Sequence, residues 1–375
     1  MFLCRAAQNQ SIPLRQPSNV GKWATEFIVR TGLGSRLTPR RIEKEIFMAK
    51  NYGMKLSFSV LAAIISASPL PIAQAQTTTT QISSGSPTAS SASGTSGPEA
   101  AVYDGKGHVW VANQFSNTVT EISTANGAVL GSFKAGNRPV GLASDGIHIW
   151  VTNLLDNTVT ELLASTGAVA ATIPLAGGPG TIIFDGKNVW VACRENNTVA
   201  KIAADTGTVL GTYPAGQRPL GLASDGVNVW VANNLDNTVT KLGASDGATL
   251  GTFPVGKGPF GVAFDGTSIW VSNFFSGTLT KVRPSDGFIL GTFTVGDGAS
   301  GLTFDGTSLW TANNGSNTVM KVSPATGTVT ATYKTGIGPF SVAFDGTNFW
   351  VTNFGSGTIS TSKPQSGLSS TSIAQ

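Results

Sequence analysis

An all-β chain built from forty-residue repeats is the fold this sequence predicts, on three observations. Trp110, Trp150, Trp190, Trp230, Trp270, Trp310 and Trp350 follow one another at intervals of 40, and only Trp23 stands outside the series. Tight-turn pairs such as Asp225-Gly226 and Asp246-Gly247 recur at fixed offsets. Asp-Gly favours hairpins because tight turns need positive φ. The stretches between turns are short, rich in Val, Thr, Ile, Phe and Trp, and lack a sustained helical period.

The unit 219–256 shows the pattern, with strand A at 220–224, B at 228–233, C at 238–242 and D at 248–255. A four-stranded antiparallel sheet has two faces to cover, and radial stacking of seven such sheets covers both. The expected fold is therefore a seven-bladed β-propeller over residues 98–375, with the tryptophans between neighbouring blades. Repeat 1 carries one extra residue in its A–B turn. In repeat 7, residues 358–363 align with strand C and 367–375 with strand D. The ring is then expected to close by packing of blade 1 on blade 7. The alternative is that residues 77–83 supply the last outer strand.

The chain upstream of the repeats differs in character. Residues 1–75 hold ten Lys/Arg against three Asp/Glu, a balance of +7, whereas the rest balances at −3. The basic character belongs to the N-terminal segment, which argues against a nucleic-acid partner. Residues 48–75 read as a signal peptide: Lys50 and Lys55 precede a short apolar run, and Ala73-Gln74-Ala75 fits the cleavage rule. The run is too short and interrupted for a stable membrane span after cleavage. Residues 1–47 read as a leader upstream of the true start, with translation from Met48 or Met54, because Lys44-Glu45 can be encoded AAG-GAG at ribosome-binding distance. Residues 76–97 are Ser/Thr/Gly-rich and read as a flexible linker. Periplasmic or extracellular export follows.

Trp230-Val231-Ala232-Asn233 and Asn237-Thr238-Val239-Thr240 resemble the YVTN family of β-propeller repeats, and Trp150-Val151-Thr152-Asn153 and Trp350-Val351-Thr352-Asn353 carry the last three letters of its signature. The resemblance covers about residues 98–375. It implies a propeller fold and, more distantly, likeness to virginiamycin B lyase-type propellers. It carries no activity across by itself.

Alternation of strand direction puts the A–B and C–D turns at one end of the ring and the B–C and D–A loops at the other. The second end varies more between repeats and is the better candidate for a site. Its loops offer Arg138, Arg194, Arg218 and Lys257 as a cationic arc, with Glu195 beside Arg194. Phe260, Phe274, Phe275, Phe340 and Phe354 form an apolar rim on the same loops. Guanidinium groups favour carboxylate, phosphate or sulfate.

Catalytic signatures are missing from the sequence: no nucleophile elbow, phosphate loop or paired-Cys metal motif. The lyase type relies on a catalytic histidine, but His108 and His148 fall toward the opposite end and read as strand-edge groups. Asp156, Glu195 and Asp236 share related loop positions, so a carboxylate pair is a minor option. Asp104, Asp145, Asp185, Asp225, Asp265, Asp305 and Asp345 read as turn formers, and no metal or cofactor is expected. Cys193, in the place of a repeated Asn, reads as a buried thiol. The expectation is an exported monomer that binds a protein, a peptide or an anionic small molecule. A lyase-like or hydrolytic enzyme and a cell-surface structural component are the alternatives.

Overall fold

In a computed structural model of the protein, residues 88–90 and 97–362 are described. The leader, the signal-peptide segment, most of the 76–97 segment and the stretch 367–375 lie outside the described residues. The described chain forms seven four-stranded antiparallel sheets. The fourth blade shows the construction. Its strands are β14 (Pro219–Ser224), β15 (Asn228–Asn233), β16 (Thr238–Gly243) and β17 (Thr249–Pro254), hydrogen-bonded in that order. Strand A is innermost and strand D outermost.

The A strands crowd around the axis. A Cβ on Gly221 would stand 2.1 Å from the carbonyl oxygen of Phe260 in the next blade. Glycine is required there by close approach of backbone to backbone. Each A strand also carries a register shift near its start, between Pro219 and Leu222 in the fourth blade. Such bulges re-aim the residues beside the mouth of the channel.

The core lies between blades. Trp230 packs with Val239 of its own blade and with Val262 and Val271 of the next. Trp350 of the seventh blade packs with Val109, Val111 and Ile122 of the first and closes the ring. Each indole also has a polar anchor. Its Nε1–H donates to the turn aspartate at 2.7–2.9 Å in blades 2 to 7. In the first blade, where the turn is one residue longer, the distance from Trp110 to Asp104 is 3.5 Å. The other oxygen of each aspartate accepts backbone N–H groups of the turn, as Asp225 Oδ1 does from Val227 and Asn228. Burial pushes these carboxyls up, but the hydrogen bonds outweigh it, and Asp104, Asp145, Asp185, Asp225, Asp265 and Asp305 lie below the usual range. The aspartate ring therefore has a structural task that the Asp-Gly turn reading captures only in part.

Neighbouring blades are also tied by polar side chains. Lys201, Lys241 and Lys281 each donate from Nζ to a backbone carbonyl of the next blade, at 2.7, 2.8 and 2.8 Å to Ala244, Pro284 and Pro324. In blades 1 and 2 the same strand position carries Glu121 and Glu161. There the histidines compensate: His148 Nδ1 lies 3.0 Å from Asp145 and its Nε2 lies 3.2 Å from Glu161. His108 Nδ1 lies 2.9 Å from Asp104 and 3.4 Å from Glu121. Both histidines are thus paired and half-buried.

Closure at the outer edge departs from the first expectation. The fourth strand of the seventh blade is β1 (Thr88–Ser90), which pairs antiparallel with β28 (Thr358–Thr361). This strand comes from the chain before the first blade, as the alternative allowed, but from 88–90 rather than 77–83. Part of the 76–97 segment is therefore ordered as strand. The physical reason is the demand of β28 for a partner along its outer edge, since unpaired N–H and C=O groups invite other pairings. A further tie at the seam runs from Thr352 Oγ1 to the carbonyl of Glu99 at 3.1 Å.

Candidate ligand-binding site at the channel mouth

The B–C and D–A loops surround one mouth of the channel, and two sets of residues divide it. The first set is aromatic. Phe275 meets Phe274 at 5.4 Å between ring centroids, Phe274 meets Phe260 at 5.9 Å, Phe260 meets Phe340 at 5.1 Å and Phe340 meets Phe354 at 6.1 Å. Phe115 extends the series, 5.5 Å from Phe354. The arc runs from blade 5 to blade 1. It crosses blade 6, where Ser300 stands at the position that Phe260 and Phe340 hold in blades 5 and 7. Offset and edge-to-face contacts of this kind add to the stabilisation that ring burial already gives. All five phenylalanines expected on the rim belong to it, and Phe115 is an addition.

The second set is ionic and lies on blades 1 to 4. Glu99, second residue of β2 (Pro98–Tyr103), is 7% exposed and lies on the channel wall beside Phe260 and Phe340. Gln114, itself 2% exposed, donates from Nε2 to Glu99 Oε2. Gln114 Oε1 is buried and has no hydrogen-bond partner among the described residues. Arg194 and Arg138 act on the Glu99 carboxylate electrostatically. Burial outweighs both guanidinium groups and the Gln114 amide, and it raises Glu99 from 4.5 to about 7. Arg194 reaches inward over Gly180, whose absent Cβ would lie 3.9 Å from Arg194 Cδ.

Backbone geometry marks two of the arginines. Arg138 and Arg218 have φ of 61° and 55°, and the equivalent residues of the other blades are Gly97, Gly178, Gly258, Gly298 and Gly338. A left-handed conformation costs a side-chain-bearing residue about 1 kcal/mol. Two asparagines fix these residues in place: Asn117 Oδ1 accepts from Arg138 N–H at 2.9 Å, and Asn197 Oδ1 accepts from Arg218 N–H at 2.8 Å. The chain thus holds a long cationic side chain where its own repeat favours glycine. Replacing either arginine by glycine is expected to stabilise the fold by up to about 1 kcal/mol, read from the denaturant midpoint.

The remaining expected residues are placed differently. Glu195 and Lys257 are exposed on the rim, and Glu195 lies over Gly178. Arg194 and Arg218 are buried, at 9% and 7% exposure, and Arg138 is half-buried. The carboxylates weighed as a catalytic pair have local tasks. Asp156 accepts from the Asn137 amide and Asp236 from the Gln217 amide, each at 2.6 Å. Cys193 is 1% exposed, and burial pushes its thiol up to about 11, which suppresses thiolate chemistry.

Sequence reasoning missed Glu99 and Gln114. A signal for Glu99 was present: the equivalent residues are Val140, Gly180, Leu220, Phe260, Ser300 and Phe340, so an ionisable side chain occurs at that position in one blade of seven. An ionisable group on the inner strand of one blade breaks the repeat where the repeat is otherwise uncharged.

Together the sheets and their closure define a seven-bladed β-propeller with a chemically divided mouth. Solved propellers share the fold. Hydrazine synthase from Kuenenia stuttgartiensis aligns with a TM-score of 0.65 at 17% identity, over 72% of this chain and 96% of that one. A streptogramin B lyase aligns at 0.64 and 18% identity, over 73% and 96%. Virginiamycin B lyase from Staphylococcus aureus aligns at 0.64 and 19% identity, over 73% and 98%. Identities this low establish the shared fold alone. No family model matches the sequence, and no curated protein does.

Proposed function

We propose that this chain is an exported bacterial binding protein whose channel mouth captures a partner carrying an anionic group on an apolar body. One observation carries the reading: Arg138 and Arg218 hold a left-handed backbone that five equivalent positions reserve for glycine. The strain is local and recurs, and the side chains it presents are those suited to carboxylate, phosphate or sulfate. The aromatic arc opposite supplies the apolar half of such a site.

The test is a thermal-unfolding screen of the purified chain against small anions, sugars and peptides. A ligand that binds only the folded state stabilises it by about 2.7 kcal/mol at a hundredfold excess over its dissociation constant. The expected result is a shift with an anionic ligand that Arg194→Ala abolishes. Shifts confined to neutral ligands, or unchanged by that substitution, contradict it. Export has its own readout, the mass of the protein outside the cytoplasm, expected to begin at Gln76.

A lyase or hydrolase is the second reading, and Glu99 favours it. A buried carboxyl near neutrality in a channel wall suits general acid–base work. That reading expects turnover that Glu99→Gln abolishes.

A further inference from the structure

We propose that the outer edge of blade 7 is a strand-exchange site, at which residues 369–374 of this chain pair along β28 (Thr358–Thr361) and displace β1 (Thr88–Ser90). The exchange sets whether the chain before the first blade is pinned to the outer rim or meets the ring only at Pro98, on the inner strand of blade 1. It goes beyond the binding reading and does not depend on what the mouth binds.

The other six blades show what this edge is built to hold. Their outer strands are Val129–Lys134, Val169–Pro174, Val209–Pro214, Thr249–Pro254, Ile289–Thr294 and Val329–Lys334, each of six residues. The fifth residue of each packs on the tryptophan of its own blade. In blades 1 and 3 to 6 it is a Phe or Tyr whose ring centroid lies 5.4–6.0 Å from the indole. In blade 2 it is Ile173, which packs in the cluster of Trp150. The glycine two residues before each of these strands turns the chain with φ between 66° and 76°. Blade 7 is different. There β1 pairs over only three residues, with Ala89 opposite Ser360. Thr88-Ala89-Ser90 brings no aromatic residue, Val, Leu or Ile to the edge. Among the described residues, Trp350 packs with Val109, Val111 and Ile122 of the first blade and with Ala343 and Ile359 of its own.

The chain beyond β28 carries the missing pattern at the repeat spacing. Gly367 stands 40 residues after Gly327, the turn glycine of blade 6, and Ile373 stands 40 after Tyr333. Isoleucine already fills this position in blade 2, as Ile173. In blade 6, Val319 lies opposite Tyr333 and Met320 opposite Thr332. Carried forward by one repeat, that register sets Ile359 opposite Ile373 and Ser360 opposite Ser372. The same edge position of Ser360 is the one that Ala89 occupies from β1. The two segments therefore exclude one another. Residues 369–374 offer the longer ladder and an aliphatic side chain over Trp350, and burial of that side chain favours them. Main-chain pairing supplies the attachment and the pocket over the indole selects the segment. Both segments belong to one chain, so the choice is independent of protein concentration.

The experiment is disulfide trapping in the full chain carrying Ala89→Cys, Ser360→Cys and Ser372→Cys, with the products assigned by peptide mass mapping. The position suits a cross-link, since the equivalent hydroxyls of Thr240 and Thr252 in blade 4 lie 3.1 Å apart. Position 360 is expected to link to 372 in preference to 89. Adding Ile373→Ser is expected to lower the ratio of the two links at least about tenfold, the effect of losing a buried aliphatic side chain. A link to 89 that predominates without Ile373→Ser, no link from 360 to either position, or a ratio that Ile373→Ser leaves unchanged overturns the proposal. Hydrogen exchange reads the same edge in the unaltered chain. Slow amides within 369–374 and fast ones in 88–90 are expected, and the reverse contradicts the exchange.

Discussion

Trp230→Ala is expected to destabilise the protein by about 3–5 kcal/mol, the range for truncating a large buried aromatic side chain. Trp230 is fully buried and bridges two blades, packing on Val262 and Val271 of the next sheet. Its ring lies 6.0 Å from that of Phe253 and 5.5 Å from the Lys241 ammonium. Its Nε1–H satisfies Asp225 Oδ2 at 2.8 Å. Alanine leaves a cavity between blades and takes one hydrogen bond from a half-buried carboxylate. Trp230→Phe weighs the two losses against each other, since it removes the donor and only part of the apolar contact. It is expected to cost about 1–3 kcal/mol, the penalty of leaving a buried polar group short of a partner. Urea unfolding of the three proteins gives both numbers. Equal costs for the two substitutions would show that the hydrogen bond, rather than the packing, carries the interface.

Glu99→Gln is expected to stabilise the protein at pH 8 and to leave it nearly unchanged at pH 4. The folded-state value of about 7 lies above the ordinary 4.5, so the native protein favours the protonated carboxyl. The stability linked to this group is fully present below about pH 4.5, falls as pH rises toward 7, and is flat above. The displacement corresponds to about 3 kcal/mol at the upper limit, at 1.36 kcal/mol per pH unit. The turn aspartates act with the opposite sign. Their carboxyls are held low, so their contribution is present at neutral pH and is lost as pH falls through those lowered values. Unfolding midpoints of the two proteins across pH 4 to 8 should therefore diverge with rising pH. Parallel curves would mean that Glu99 is not held protonated by its surroundings.

The repeat made the fold legible. The spacing of 40 and the paired Gly turns fix blade number, strand order and the end at which the variable loops lie, because local turn chemistry and strand pattern agree in every unit. The closing strand was harder to read. Thr88–Ser90 lies in a Ser/Thr/Gly-rich stretch with no apolar alternation, so its pairing comes from the vacant edge of β28 and not from its own composition. At the site, the phenylalanines and arginines stood out because apolar and cationic residues are unusual in loops. Their division into an aromatic half and an ionic half depends on ring geometry. Glu99 breaks an otherwise uncharged repeat position in the sequence, but its burial and its hydrogen bond from Gln114 depend on how the first blade packs.

The most direct test of the mouth as the binding site is the anomalous scattering of bromine in crystals of the protein grown with 4-bromobenzoate. The account predicts bromine within the channel beside Phe260 and Phe340, with the carboxylate toward Arg194. Bromine on the A–B and C–D end or along the outer strands, with none in the mouth, would contradict it.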